Sequence, residues 1–179
     1  KPTYDTILQR IKDGGWDDPL GGTGGSWDSW LGKETVYPIG WSNDGRFAYL
    51  IQGSSEIEYF NFVIVDSNTG SVIFQSDFES DITEFMNTHY SDIETELQKY
   101  KITRQEHFEL QTDLDLLPPF KVQRSHAYEE HSVDSLEGTV GYFKNPYGNS
   151  VVIISYYFFH YGARGEGGTE YSVIGTVLE

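Results

Sequence analysis

The stretch YPIGWSNDGRFAYLI, residues 37–51, decides the fold of this chain. Runs of aromatic and β-branched residues flank Asn43-Asp44-Gly45, and such a turn sequence between two apolar runs is typical of a tight β-hairpin. The following stretch, FNFVIVDSNTGSVIF at residues 60–74, predicts a second hairpin that closes on Asn68-Thr69-Gly70. Consecutive hairpins predict a meandering antiparallel sheet, and neither stretch carries a catalytic motif.

Further strand patterns extend this sheet along most of the chain. Residues 60–65 are apolar on both faces, with Asn61 as the only break, which predicts a central strand. The sequence Asn145-Pro146-Tyr147-Gly148 predicts another turn. Strands are predicted at about 35–42, 46–53, 57–66, 71–77, 106–111, 120–130, 136–144, 149–161 and 169–178.

The apolar period changes after residue 81, where a helical pattern replaces the strand pattern. Asp81 is a good N-cap residue, and Lys99 and Lys101 suit the negative end of a helix dipole. The spacing predicts an amphipathic helix over about 82–101 whose apolar face must pack on the sheet. That face consists of Ile82, Phe85, Met86, His89, Tyr90, Ile93, Leu97 and Tyr100. A short helix is also predicted over residues 3–13.

These elements predict a single α+β domain over residues 1–179. Its core is a twisted, mainly antiparallel sheet of about seven to nine strands with the 82–101 helix packed on it. A two-sheet β-sandwich with the helix at one end is the alternative. Along the chain the parts are an N-terminal helix and Gly/Trp-rich loop at 1–34, a β meander at 35–78, the helix at 80–103 and further strands at 105–179.

The composition limits the classes of function. The formal charge of −16, from 28 acidic and 12 basic residues, repels phosphate backbones and anionic lipids, so neither nucleic acid nor a membrane surface is an expected partner. The longest apolar run, residues 151–161, is too short to span a bilayer as a helix. The chain has no cysteine, which excludes thiol chemistry, and it begins Lys1-Pro2. We therefore expect an exported bacterial protein, located outside the cytoplasm, whose signal peptide is not part of this sequence.

The two hairpins resemble one blade of the Tol-type and WD-type β-propellers. Such blades carry W-S-P-D-G followed by a strand that ends in D-x-x-T-G, and here Asn43 stands in place of the proline. The matching residues are Trp41, Ser42, Asp44, Gly45, Asp66, Thr69 and Gly70. The resemblance covers roughly forty residues, implies hairpin turns and implies no activity. The whole layout is similar to that of small bacterial predicted-secreted families of unknown function.

Three stretches resemble catalytic or ligand-binding motifs but do not meet the requirements of those motifs. The glycines of GGTGGS, residues 21–26, fit neither nucleotide-binding motif, and no Ser lies in G-x-S-x-G. His126 and His131 are five residues apart, whereas a zinc helix needs four. Asp66-Ser67-Asn68-Thr69-Gly70 is a turn between strands and not a calcium loop between helices. We expect no catalytic residue, no metal and no cofactor.

The remaining candidate site is the N-terminal loop, because all four tryptophans lie within the first 41 residues. An aromatic ring can cover the apolar face of a sugar while carboxylates bind its hydroxyls. The candidate ligand-binding residues are Trp16, Asp17, Asp18, Trp27, Asp28 and Trp30. The alternative is that these rings hold the glycine-rich loop on the sheet, since tryptophan is usually buried.

Three functions follow as hypotheses. The first is a non-enzymatic exported module that binds a protein or a cell-envelope component. The second is a carbohydrate-binding or carbohydrate-active protein that uses the Trp-rich loop. A structural subunit of a larger assembly is the third. The exposure of the loop tryptophans discriminates between them.

Overall fold

The structure, a computed structural model, describes residues 31–54, 58–80, 82–105, 107–113, 133–161 and 166–178, together with Asp115 and Leu117. These residues form eight strands and one helix. The strands are β1 (Leu31–Trp41), β2 (Arg46–Ser54), β3 (Glu58–Asp66), β4 (Val72–Gln75), β5 (Thr103–Arg104), β6 (Val133–Lys144), β7 (Ser150–Tyr161) and β8 (Glu166–Val177), and the helix is α1 (Ile82–Lys99).

The strands form two antiparallel sheets, of five and three strands, and a short parallel pairing links them into one hydrogen-bonded path of eight strands. The first has five strands in the order β4-β3-β2-β1-β5, and the second has three in the order β8-β7-β6. A short parallel pairing of Leu31 and Gly32 in β1 with β8 joins the two sheets. The predicted mainly antiparallel architecture is confirmed, but each sheet is smaller than the single predicted sheet. Because only two residues of β1 pair with β8, the three-stranded sheet is able to turn away from the plane of the five-stranded sheet.

The five-stranded sheet is a central layer that is covered on both faces. Along β2, Ala48 and Leu50 face α1, whereas Phe47 and Tyr49 face the three-stranded sheet. The ring of Phe47 lies 5.9 Å from that of Phe143 in β6, so the two sheets are in direct contact. The helix and the three-stranded sheet therefore lie on opposite faces of the five-stranded sheet.

Strand β3 has the central place that its sequence predicts. It lies between β2 and β4, and the run from Phe60 to Val65 is buried throughout. Phe62 and Ile64 pack towards α1, while Val63 and Val65 pack towards the second sheet. An apolar run without alternation is what a strand buried on both faces requires.

Helix α1 confirms the predicted amphipathic helix, and it ends two residues earlier than expected. Phe85, Met86 and Ile93 are fully buried against the five-stranded sheet. Lys101 adopts a left-handed conformation (φ 54°), and the amide of Ile102 donates to the Leu97 carbonyl at 2.8 Å. This bond closes the helix in a Schellman-type cap, so Lys101 lies beyond the helix.

One predicted strand is wrong, and one observed strand was not predicted. Of the predicted strand 106–111, the structure describes 107–111, and among these only Gln111 pairs, with Tyr142. The chain instead pairs earlier, where β5 meets β1 at Gly40. A Cβ at Gly40 would lie 2.0 Å from the Thr103 carbonyl oxygen, so the glycine is what admits β5 at this edge. The predicted helix 3–13 and strand 120–130 lie outside the described residues.

The turns of the blade-like motif bind each other and the second sheet. The Asn68 side chain donates to the Asp44 carbonyl at 2.8 Å, and the Ser67 amide donates to the Gly45 carbonyl at 2.9 Å. Gly45 has φ +91°, which favours glycine. Ser67 Oγ lies 2.6 Å from Ser150 Oγ at the start of β7. These bonds give the motif residues a structural role at one end of the molecule.

The carboxylate of Asp44 in this turn predicts a pH-dependent contribution to stability. Its pKa lies below the ordinary value of 3.8, chiefly because the carboxylate accepts a hydrogen bond from Ser42. Desolvation raises the pKa and offsets part of this effect, while the charge of Arg46 lowers the pKa by a smaller amount. A lowered folded-state pKa stabilises the fold above the ordinary pKa, and this stabilisation is lost as the pH falls through the lowered pKa. We expect Asp44→Asn to have a lower Tm than the wild type at neutral pH. The difference should vanish in strong acid. A difference that is independent of pH would contradict this assignment.

Candidate functional site

An open groove lies on the five-stranded sheet, on the face that is turned towards the second sheet. Its volume is about 520 Å³, within the range of small-ligand sites. The groove is lined by Tyr49 and Ile51 of β2, by Tyr59, Asn61 and Val63 of β3, by Gln75 of β4 and by Phe78. Its members come from three neighbouring strands and the segment that follows them.

Strand register brings most of these residues together. Ile51 is the direct partner of Asn61, and Val63 pairs with both Tyr49 and Gln75. Because alternate residues of a strand share one face, Tyr59 also lies on this side of β3. The residue opposite Tyr59 is Gly53, so β2 brings no side chain to that position. The groove continues from Tyr49 and Val63, which belong to the core between the sheets, towards Tyr59.

The chain after β4 stays beside β3 and thereby positions Phe78. The Ser76 amide donates to the Phe62 carbonyl at 2.9 Å. Further along, the Phe60 amide donates to the Glu79 carbonyl at 2.7 Å. Phe78 is consequently held next to Tyr59, with the ring centroids 5.6 Å apart and the rings nearly perpendicular at 89°. Phe78 nevertheless remains 61% exposed, whereas phenylalanine is among the residues most often buried.

A pair of amides supplies the polar part of the groove. Asn61 is buried, and its Nδ2 donates to the Ser76 carbonyl at 2.5 Å. Its Oδ1 accepts a hydrogen bond of 3.0 Å from Nε2 of Gln75. These bonds offset the cost of burying the Asn61 amide, and they fix the orientation of the more exposed Gln75 amide. The Gln75 side chain thus has one partner within the groove and is otherwise exposed.

The described residues that line the groove are all uncharged, although the chain carries 28 acidic and 12 basic residues. No carboxylate or imidazole is among them. The nearby carboxylate of Glu79 is directed at His89 of α1, with Oε1 3.3 Å from Nε2. The described lining offers apolar surface and hydrogen-bonding groups.

The six predicted ligand-binding residues, Trp16, Asp17, Asp18, Trp27, Asp28 and Trp30, all lie outside the described residues. The same is true of residues 21–26 and of the histidines at 126 and 131. Trp41 is described, and it is buried against Phe47 with ring centroids 4.8 Å apart. Asp66 accepts hydrogen bonds from within its own turn, at the amides of Asn68 and Gly70. His89 is a buried side chain that contacts Glu79.

Metal sites and membrane-spanning helices are both missing from the part of the chain that the structure describes. Within it, no three His, Cys, Asp or Glu side chains are grouped so as to hold a metal ion. No helix there has the length and apolar character needed to cross a membrane.

The sequence contains one signal for the groove. Asn61 is the only polar residue in the run 60–65, and a buried amide in an apolar strand needs partners on its own face. Phe78 carries no comparable signal, because its position depends on the pairing of residues 76–79 with β3. No family model matches the chain, and no curated protein or solved structure is significantly similar to it.

Proposed function

We propose that this chain is a non-enzymatic binding module of the bacterial cell envelope and that the groove is its binding surface. The ligand is uncharged. The observation that carries the proposal is that the described lining of the groove is neutral, aromatic and amide-bearing in a chain of net charge −16. A charged ligand loses its hydration at a high cost unless charged or well-placed hydrogen-bonding groups replace the water, and the described lining has no charged group.

Two further observations support the proposal. The Phe78 ring already contacts Tyr59 and the Gln75 amide is already hydrogen-bonded to Asn61, and these contacts reduce the conformational entropy that the two side chains lose on binding a ligand. The absence of cysteine suits a protein that works in an oxidising compartment outside the cytoplasm.

A thermal-shift screen tests this function. The probes are neutral hexasaccharides, hexagalacturonate, uncharged octapeptides rich in Phe and Val, ATP and the cations zinc, calcium and magnesium. We expect at least one uncharged probe to raise the Tm and the charged probes to leave it unchanged. A ligand at 100 times its Kd adds about 2.7 kcal/mol, which corresponds to a rise of about 5–10 °C for a domain of this size.

The control variant is Phe78→Ala, which removes the exposed ring of the groove. It should abolish the shift, and mass spectrometry should recover the ligand chemically intact after prolonged incubation. A shift that survives in Phe78→Ala would place the binding site elsewhere. Conversion of the ligand would show that the module is an enzyme, and a screen in which no uncharged probe shifts the Tm would overturn the proposal.

A further inference from the structure

We infer that the ligand of the groove is a neutral glycan, bound with one pyranose ring stacked on Phe78; this inference rests on the proposed function. It names the class of ligand that the groove of a binding module would take. Three features of the described residues support it: an exposed ring held in place, an oriented amide beside it, and an uncharged lining.

Phe78 provides a stacking platform. Its ring is 61% exposed, and it makes a perpendicular contact with the ring of Tyr59. One face of a pyranose presents mainly C–H groups, which pack on the face of an aromatic ring, while the hydroxyls point outward from the ring edge. An isolated exposed Phe would be ordinary, but this one stands at the wall of a groove.

Gln75 provides the polar contact that a sugar needs next to the stacked ring. Its Nε2 is engaged by Asn61 Oδ1 at 3.0 Å, so its Oε1 is directed away from Asn61. Gln75 is an exposed residue, and its Oε1 can accept a hydrogen bond from a hydroxyl group. The relay from the Ser76 carbonyl through Asn61 to Gln75 therefore presents an oriented acceptor on the same side of the sheet as Phe78.

The charge of the groove discriminates against acidic glycans and nucleotides. The described lining contains no Lys or Arg to pair with a carboxylate or a phosphate, and the whole chain carries a net charge of −16. An anionic ligand would lose hydration without compensation and would approach against the field of the protein. Neutral sugar rings incur neither cost.

The geometry also disfavours an extended peptide added to the edge of β4. Strand addition needs a regular row of free backbone groups along an edge. Strand β4 has only four residues, and its register with β3 is interrupted between Ile64 and Val65. Short edge strands with bulges are poor templates for a further strand. The groove lies on the face of the sheet, where side chains and not backbone groups make the contacts.

Isothermal titration with neutral hexasaccharides of glucose, mannose, galactose, xylose and N-acetylglucosamine tests the inference. Hexagalacturonate and the uncharged octapeptides are the comparison ligands. We expect at least one neutral hexasaccharide to bind the wild-type protein. Phe78→Leu, which keeps an apolar side chain but removes the ring, should weaken binding by about tenfold or more, and Phe78→Trp should retain it.

Two further variants complete the design. Gln75→Ala should weaken binding of the glycan while leaving the ring in place. Val72→Ala is the matched control, because Val72 is 55% exposed on the same strand but does not line the groove, and it should bind like the wild type. The urea midpoint of each variant shows whether it is folded. If Phe78→Leu is unstable, the affinity of Gln75→Ala for the hexasaccharide decides the test.

The outcomes separate this inference from the proposed function. If a peptide or hexagalacturonate bound and no neutral hexasaccharide did, the inference of a neutral glycan ligand would be overturned. Binding of an uncharged peptide would still agree with the proposed binding module. Equal affinity of Phe78→Leu and the wild type for a hexasaccharide would overturn the stacking arrangement. Binding of none of the uncharged probes would overturn both.

Discussion

Ile93→Asp is expected to unfold the protein, or to lower its free energy of unfolding by more than about 3 kcal/mol. Ile93 is fully buried on the face of α1 that packs against the five-stranded sheet, in the same cluster as Phe62 and Leu97. The substitution removes apolar contacts and places a carboxylate where the cluster has no group to pair with it. Urea denaturation followed by circular dichroism measures the effect.

Thr88→Asp is the matched control, because it introduces the same carboxylate at an exposed position of the same helix. It should change the free energy of unfolding by less than about 0.5 kcal/mol. Glu94 is unsuitable as a control even though it lies next to Ile93, since its carboxylate pairs with the guanidinium of Arg104 in β5. Equal effects of Ile93→Asp and Thr88→Asp would mean that the buried face of α1 is assigned wrongly.

The local elements of this fold could be predicted because each has a signal within a few residues. The turn at Gly45 and the turn at Gly70 both have positive φ, as their sequences indicate. The helical period identifies α1 to within two residues, and the unbroken apolar run identifies β3 as a central strand. These features depend on the backbone preferences and burial of residues that are neighbours in the chain, and such local preferences can be predicted directly from the sequence.

The arrangement of the elements depends on contacts between residues that are distant in the chain, and such contacts leave weaker signals in the sequence. The division into two sheets follows from the short pairing of β1 with β8 and from the packing of Phe47 on Phe143. Strand β5 exists because Gly40 permits a close approach, whereas a glycine in a strand is equally typical of a bulge or a bend. The groove combines β2, β3, β4 and Phe78, so it could be assembled only after the register of three strands was known.

Gly175→Ala is expected to destabilise the protein by about 2–3 kcal/mol, because this glycine is where β8 touches the end of β3. A Cβ at position 175 would lie 2.4 Å from the Cα of Ser67 and 2.8 Å from the carbonyl oxygen of Asp66. Both are backbone atoms of the neighbouring sheet, so no side-chain rotation can relieve the overlap. Ser67 is itself held by the hydrogen bond from its amide to the Gly45 carbonyl and by the contact of its hydroxyl with Ser150. The sheets must therefore separate locally, and the core between them must loosen.

Gly148→Ala tests whether this cost comes from the contact between the sheets and not from the loss of a glycine as such. Gly148 lies in the turn before β7, and a Cβ there would meet only the Asn145 side chain, at 3.4 Å, which is an ordinary contact distance. Its replacement by alanine should leave the urea midpoint unchanged or raise it slightly, since alanine reduces the entropy of the unfolded chain. If Gly175→Ala were as stable as Gly148→Ala, the close approach of β8 to Ser67 would be wrong. The packing of the two sheets at this end of the molecule would then have to be revised.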